Sequence, residues 1–194
     1  HRIKSIGAIY FEGEEAVDWS KVEVSEIGAQ IKKHRDEVDE GVIEALGQRG
    51  TKEAMNLLLE SYDTFASTYM RREVLLALAE YDGVEGAANA ALTHLMQVSV
   101  GEPKRELREA AIRGLGRATK NGKPFLEKII TSTADDSVRE RSLFMHIDMG
   151  DESDHEFYRG IYERTMKTVQ EFVNEANEKK NRTKREREGL PDPE

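Results

Sequence analysis

Residues 38–47 read VDEGVIEALG and residues 107–116 read LREAAIRGLG, each apolar at the first, fifth, sixth and ninth places with glycine at the tenth. Two further stretches, MRREVLLALA (70–79) and VRERSLFMHI (138–147), follow the same layout, so the pattern returns after 32, 37 and 31 residues. At about 100° per residue, the first, fifth, eighth and ninth places share one helical face. The fifth place holds Val42, Val74, Ala111 and Ser142, and the sixth holds Ile43, Leu75, Ile112 and Leu143. An amphipathic helix therefore recurs every thirty-odd residues. The last copy is weaker, with His146 at the ninth place where the others carry leucine.

Shorter helical patterns lie between these copies. TKEAMNLLLES (51–61) sets Ala54, Leu57 and Leu58 on one face, and VEGAANAALTHLMQ (84–97) does so with Ala87, Ala91, Leu92 and Leu95. KPFLEKII (123–130) carries Pro124 near a helix start, where its missing N–H costs nothing. Gly50, Gly83, Gly101, Gly122 and Gly150 fall at or near the joints, as helix stops would. Ser137-x-x-Glu140 and Ser153-x-x-Glu156 have the spacing of capping boxes. Internal repeats of this period indicate stacked helix pairs, each burying its apolar face against the next.

At this point the residues resemble a known family. TADDSVRERSLFMHIDMGD (133–151) is similar to the HEAT repeat, in which an Asp-containing turn leads into Val-Arg and a second helix; LREAAIRGLGRA (107–118) resembles that second helix. The resemblance covers residues 22–165 and implies an all-α fold, a right-handed α-α superhelix of about four helix pairs with a long C-terminal helix. It also implies that a second-helix arginine bonds the turn aspartate. Arg139 and Asp136 occupy those places, and Arg108 and Arg71 match by register; Asp39 stands where the first copy would need arginine. In the family the second helices line a concave face that takes ligands.

The expected organisation is an N-terminal extended arm over 1–20, a HEAT-like repeat domain over 21–165, and a charged helix extension and linker over 166–194. IGAIYFEG (6–13) reads as a strand or arm lying on the first pair, with Trp19, the only tryptophan, anchoring it. Phe157, Ile161, Tyr162, Met166, Val169 and Val173 mark an apolar stripe that ends by Asn174, beyond which the helix projects or frays. The start at His1 reads as a segment cut from a longer chain, processed or tagged. Pro191 and Pro193 read as a linker.

Composition narrows the chemistry. Apolar residues make up 38% and charged residues 35%, which suits a thin helical protein with much surface. The absence of cysteine excludes disulfides, thiolate metal sites and cysteine nucleophiles. The formal charge of −9 argues against general nucleic-acid binding, which needs a basic surface. That charge is uneven: residues 34–66 hold 3 basic against 8 acidic side chains, residues 102–150 hold 10 against 8. The five histidines are spread out with no ligand-pair spacing, and His155 within DESDHEF reads as a capped helix start rather than a metal ligand. GLG at 114–116 lies inside a helix pattern and is no phosphate loop. No catalytic residue, metal or cofactor is expected.

What remains is a binding role. The tentative concave-face residues are Arg71, Arg72, Arg108, Arg113, Arg139 and Arg141, with Leu107, Leu115, Asp136 and Trp19 as structural positions; Glu109 and Arg113 form an expected i,i+4 pair. The expected function is a non-catalytic protein–protein scaffold or adaptor, whose partner is an acidic peptide or domain, with nucleic acid and membrane disfavoured. The alternatives are a HEAT-like enzyme, such as an alkylpurine-type DNA glycosylase or a bilin lyase, and a structural module positioning a neighbouring catalytic domain. A basic, aromatic-lined groove would favour nucleic acid. The expected location is soluble, cytoplasmic in preference to exported.

Overall fold

Side-chain oxygens fix where several helices begin. Thr51 accepts from the Ala54 N–H, Ser67 from the Met70 N–H, and Asp135 from the N–H groups of Ser137 (2.9 Å) and Val138 (3.1 Å). Asp135 thus takes the role the sequence assigns to Ser137, which lies inside the helix, because a carboxylate one residue before the first turn reaches two free donors. The molecule is described by a computed structural model over residues 17–150 and 154–188, in two compact units, His1–Met149 and Gly150–Glu194. The proposed arm at 6–13, Ser153 and the linker from Gly189 lie outside the described residues.

The first unit contains α1 (Val24–His34), α2 (Gly41–Gln48), α3 (Lys52–Thr64), α4 (Thr68–Leu78), α5 (Ala88–Gly101), α6 (Arg105–Arg117), α7 (Gly122–Ser132) and α8 (Asp136–Met149). The odd-numbered helices pack on one another in sequence, as do the even-numbered ones, and α3 packs on α4, α5 on α6 and α7 on α8. The result is two layers of helices, an all-α stack of four pairs. The second unit contains α9 (His155–Glu188).

The repeat register explains the core. At the first, fifth and ninth places every side chain is buried: Val38, Met70, Leu107 and Val138, then Val42, Val74, Ala111 and Ser142, then Leu46, Leu78, Leu115 and His146. Ser142 and His146 keep these positions in the last copy although both are polar, and His146 Nε2 lies 3.2 Å from Glu127 Oε1 on α7. Each pair buries its face only because a neighbour covers it.

Two edges of the stack are tied by polar groups. On one edge lie the turns within pairs. There Asp36 accepts from the N–H groups of Ala66 (3.3 Å) and Ser67 (2.9 Å) in the next pair's turn. On the opposite edge Asp82 accepts from the Lys120 N–H (2.6 Å), the Asn121 N–H (3.1 Å) and Asn121 Nδ2 (2.7 Å). At the N-terminal end, Arg49 donates to the carbonyls of Trp19 (3.0 Å), Ser20 (3.2 Å) and Val22, holding a 3-10 turn (Trp19–Lys21) against α2. Trp19 is half-buried and packs on the core.

The joint between the second and third pairs holds a polar cluster. Glu102 accepts from Arg71 Nη2 (2.9 Å) and from the Tyr62 hydroxyl (3.1 Å), and the Arg71 guanidinium lies 4.2 Å from the Tyr62 ring centroid. His94 meets Tyr62 edge-on, with ring centroids 5.0 Å apart. Burial pushes the Tyr62 hydroxyl up to about 12. Burial also lowers the His94 pKa, with Asp63 opposing that shift and Arg71 adding to it.

Glycine permits close backbone approach at one joint. A Cβ on Gly122 would sit 2.0 Å from the Leu115 carbonyl oxygen, so this residue opens α7 rather than stopping a helix, as the sequence suggested. Gly101, by contrast, has nothing within 4 Å of that position.

Gly122→Ala should lower stability by about 1–3 kcal/mol, since backbone must move, whereas Gly101→Ala should leave the melting temperature level or slightly raised; thermal melts of both variants compare the two. Glu102→Ala strands Arg71, whose side chain is 19% exposed against 11% for Glu102, and should cost about 2–3 kcal/mol. Arg105→Ala, which breaks a pair 74% and 33% exposed, should cost no more than about 0.5 kcal/mol by urea titration. Because His94 is held neutral in the fold, the unfolded chain binds the extra proton below the ordinary histidine pKa of 6.5. Stability should therefore be full above that value and fall as pH drops below it, by at most about 1.4 kcal/mol per pH unit from this group. Melting curves of His94→Phe across the same range should show a shallower acid loss than the parent; an equal loss would remove His94 as the cause.

Candidate functional site

The exposed side of the second-helix layer is not uniform. Between α2 and α4 runs a groove of about 450 Å3. Its floor is narrow because Gly47 on α2 faces Ala77 on α4, where an added Cβ would come within 3.2 Å of the alanine Cβ. Ile43 and Leu76 complete that floor, and Glu40, Glu44, Glu73 and Glu80 stand along the walls, with Arg117 at one end. Four carboxylates around a small apolar floor give the groove an anionic character.

Tyr69 sits on the same wall. Its hydroxyl donates to the Glu40 carboxylate, and this bond, with burial second, pushes the phenol up to about 12. The Arg72 guanidinium lies 5.0 Å from the Tyr69 ring centroid and donates to Glu73 through Nε (3.1 Å) and Nη2 (2.9 Å). Arg72 therefore braces a groove glutamate. Gln48 likewise donates to Glu44 at 3.0 Å, one turn apart.

The six arginines singled out in the sequence do not form one strip. Arg71 leaves this face for the cluster with Tyr62 and Glu102. Arg108 donates to the carbonyls of Glu102 (2.9 Å) and Pro103 (3.0 Å), and its Nη2 stands 4.0 Å from Asp135 in the next pair's turn. Arg139 bonds Asp136 and the Thr133 carbonyl. Arg108 and Arg139 thus use the same contact, a carbonyl six residues back. Asp39 accepts from the Gly41 N–H (2.8 Å), and no arginine stands at that register.

Arg113 on α6 and Arg141 on α8 are exposed and come together near Glu109. The Glu109 carboxyl is held below its usual range first by the hydrogen bond from Arg105 (2.7 Å), with the charges of Arg105, Arg141 and Arg113 adding to it. The i,i+4 bond is therefore Arg105–Glu109, with Arg113 contributing charge. Arg117 lies on the same helix, so exposed arginines stand on α6 and α8, while the carboxylates that line the groove stand on or beside α2 and α4. Leu107 and Leu115 are fully buried, and Asp136 is exposed at the first residue of α8.

Sequence reasoning passed over the groove glutamates and the residues that tie the joints. Glu40, Glu44 and Tyr69 look like ordinary solvated positions until two helices are set side by side. The acidic excess over 34–66 holds Glu40 and Glu44 but leaves Tyr69, Glu73 and Glu80 outside it. Asp36 lies in the turn within the first pair and Asp82 in the connection between the second and third pairs, each facing the equivalent connection one repeat on.

No helix among the described residues is long and apolar enough to cross a membrane. Among curated proteins and among solved structures, no match to the chain is found. Residues 24–116 match the family model for HEAT repeats. That span runs from the start of α1 to the penultimate residue of α6, and so takes in three of the four pairs. The Asp-turn and Val-Arg stretch at 133–151 lies beyond it, yet α7 and α8 continue both helical layers in the same register. With three pairs matched and a fourth built alike, the chain is a HEAT-like helical repeat protein.

Proposed function

We propose that the chain is a non-catalytic protein-binding module, and that the groove between α2 and α4 receives a basic segment of its partner. The observation that carries this reading is the groove itself: Glu40, Glu44, Glu73 and Glu80 around a floor of Ile43, Gly47, Leu76 and Ala77. A helix or extended strand bearing lysine or arginine on one side and a small apolar residue on the other complements it in charge and shape. HEAT repeats commonly serve as interaction scaffolds, and the two-layer stack offers the same kind of continuous side-by-side surface. An acidic groove with one aromatic wall residue, Tyr69, supports a protein partner over a DNA duplex, whose phosphates would meet four carboxylates.

An acidic partner is favoured at a different place. Arg113, Arg117 and Arg141 are exposed on α6 and α8, so a ligand crossing the whole layer would be basic over the first two pairs and acidic over the last two.

A fluorescent amphipathic peptide with a lysine-rich face should bind the full chain, and the double variant Glu44→Lys/Glu80→Lys should weaken it by tenfold or more, about 1.4 kcal/mol. Raising salt from about 0.1 M to about 1 M should weaken it too, since screening shortens from about 10 Å to about 3 Å. A glutamate-rich counterpart should respond instead to Arg113→Glu/Arg141→Glu. Anisotropy that is flat for the cationic peptide, or unchanged by the double glutamate variant, would remove the groove as its site.

A further inference from the structure

We propose that α9 pairs with α9 of a second copy of this chain as an antiparallel two-helix coiled coil. The helix runs for 34 residues, His155–Glu188, and from Tyr162 to Val173 it carries its large apolar side chains in the open. Tyr162 is 64% exposed, Met166 48%, Val169 50%, Phe172 71% and Val173 43%. Isolated exposed apolar residues are ordinary, but a contiguous row on one helix calls for a cover.

The spacing says what kind of cover. Tyr162, Met166, Val169, Val173 and Ala176 follow one another at steps of four, three, four and three residues. That is a seam two positions wide per heptad, the pattern that fits one facing helix rather than the broader face of a globular core. The seam extends roughly 27 Å from Tyr162 to Lys180 at the usual helical rise. The opposite face is polar, with Lys167 and Glu171 in an i,i+4 contact of 3.9 Å and Gln170 donating to Asn174 at 2.9 Å.

Charge and symmetry select a second copy running the other way. The seam continues into Lys180, and Lys179 and Arg182 lie beside it. Parallel pairing of two copies would stack these cations on their own mates. Antiparallel pairing with the two-fold axis beside Phe172 brings Lys180 level with Tyr162 and Glu163 of the second copy, replacing repulsion with an opposite charge and an aromatic ring. The same axis sets Val173 against Val169 of the second copy and Phe172 against its own mate. Phe172 lies just outside the two-position seam, and a self-contact across the axis is what its exposed ring fits. This surface is separate from the groove between α2 and α4, and the pairing stands or falls without it.

The full chain tests the pairing directly. Sedimentation equilibrium over roughly 1–100 μM, the range for a short seam, should show the mass rising from 22.0 kDa towards twice that value. Val169→Glu and Phe172→Glu should each hold the chain monomeric at the top of that range, whereas Thr168→Glu, on the polar face, should leave the dimer intact; circular dichroism checks that the helices remain. Because the chain has no cysteine, single cysteines report direction. With a short bis-maleimide, Phe172→Cys should crosslink to itself, Tyr162→Cys alone should not, and Tyr162→Cys mixed with Lys180→Cys should. A parent chain monomeric throughout, a dimer indifferent to Val169→Glu and Phe172→Glu, or efficient self-crosslinking of Tyr162→Cys would each overturn the proposal.

Discussion

Every part of the first unit depends on one constraint: a pair of short helices has an apolar face too large to leave in water and too small to close on itself. The solution is to lend that face to the next pair, so that Val42, Val74 and Ala111 are buried in succession by neighbours of the same design. Helices of 8–14 residues are marginal alone, and packing rather than propensity holds them. The stack is therefore cooperative along its length, and the polar ties at its edges work on top of burial already achieved.

Those ties divide the arginines into two kinds. Where an arginine is the fourth residue of a second helix, it sits at the edge of the stack and finds carbonyls and carboxylates of the turns. Arg71, Arg108 and Arg139 do this. Where it falls in the middle or last turn, it stands on the open face, as Arg113 and Arg117 do. The same residue type is mortar in one position and surface in the other, and the acidic groove occupies the part of the layer that has carboxylates on its open face.

The helix pairs were legible in the sequence because burial imposes a period, and the period survives even where Ser142 and His146 replace apolar residues. Helix edges were less so. Asp135 rather than Ser137 caps α8, and Gly122 opens α7, because both depend on where the preceding turn ends. The candidate site was least legible. Charge was visible along the chain, but the groove arises from Glu40 and Glu44 at the start of and within α2 meeting Glu73 on α4 and Glu80 just after it, which one-dimensional spacing does not bring together. The arginines misled for the same reason: Arg71 and Arg72 are adjacent in sequence and turn to different partners, one to Glu102 in the next pair and one to its neighbour Glu73.

The joint between the second and third pairs is fastened at both edges, by Asp82 on one side and by Glu102 with Arg71 and Tyr62 on the other, with Lys104 reaching Thr68 at 2.9 Å as well. At the corresponding edge of the joint after it, Arg108 approaches Asp135 at 4.0 Å. Opening the joint between the second and third pairs in either direction has to break one of these sets of bonds, and the glutamate groove lies one joint before it, between α2 and α4.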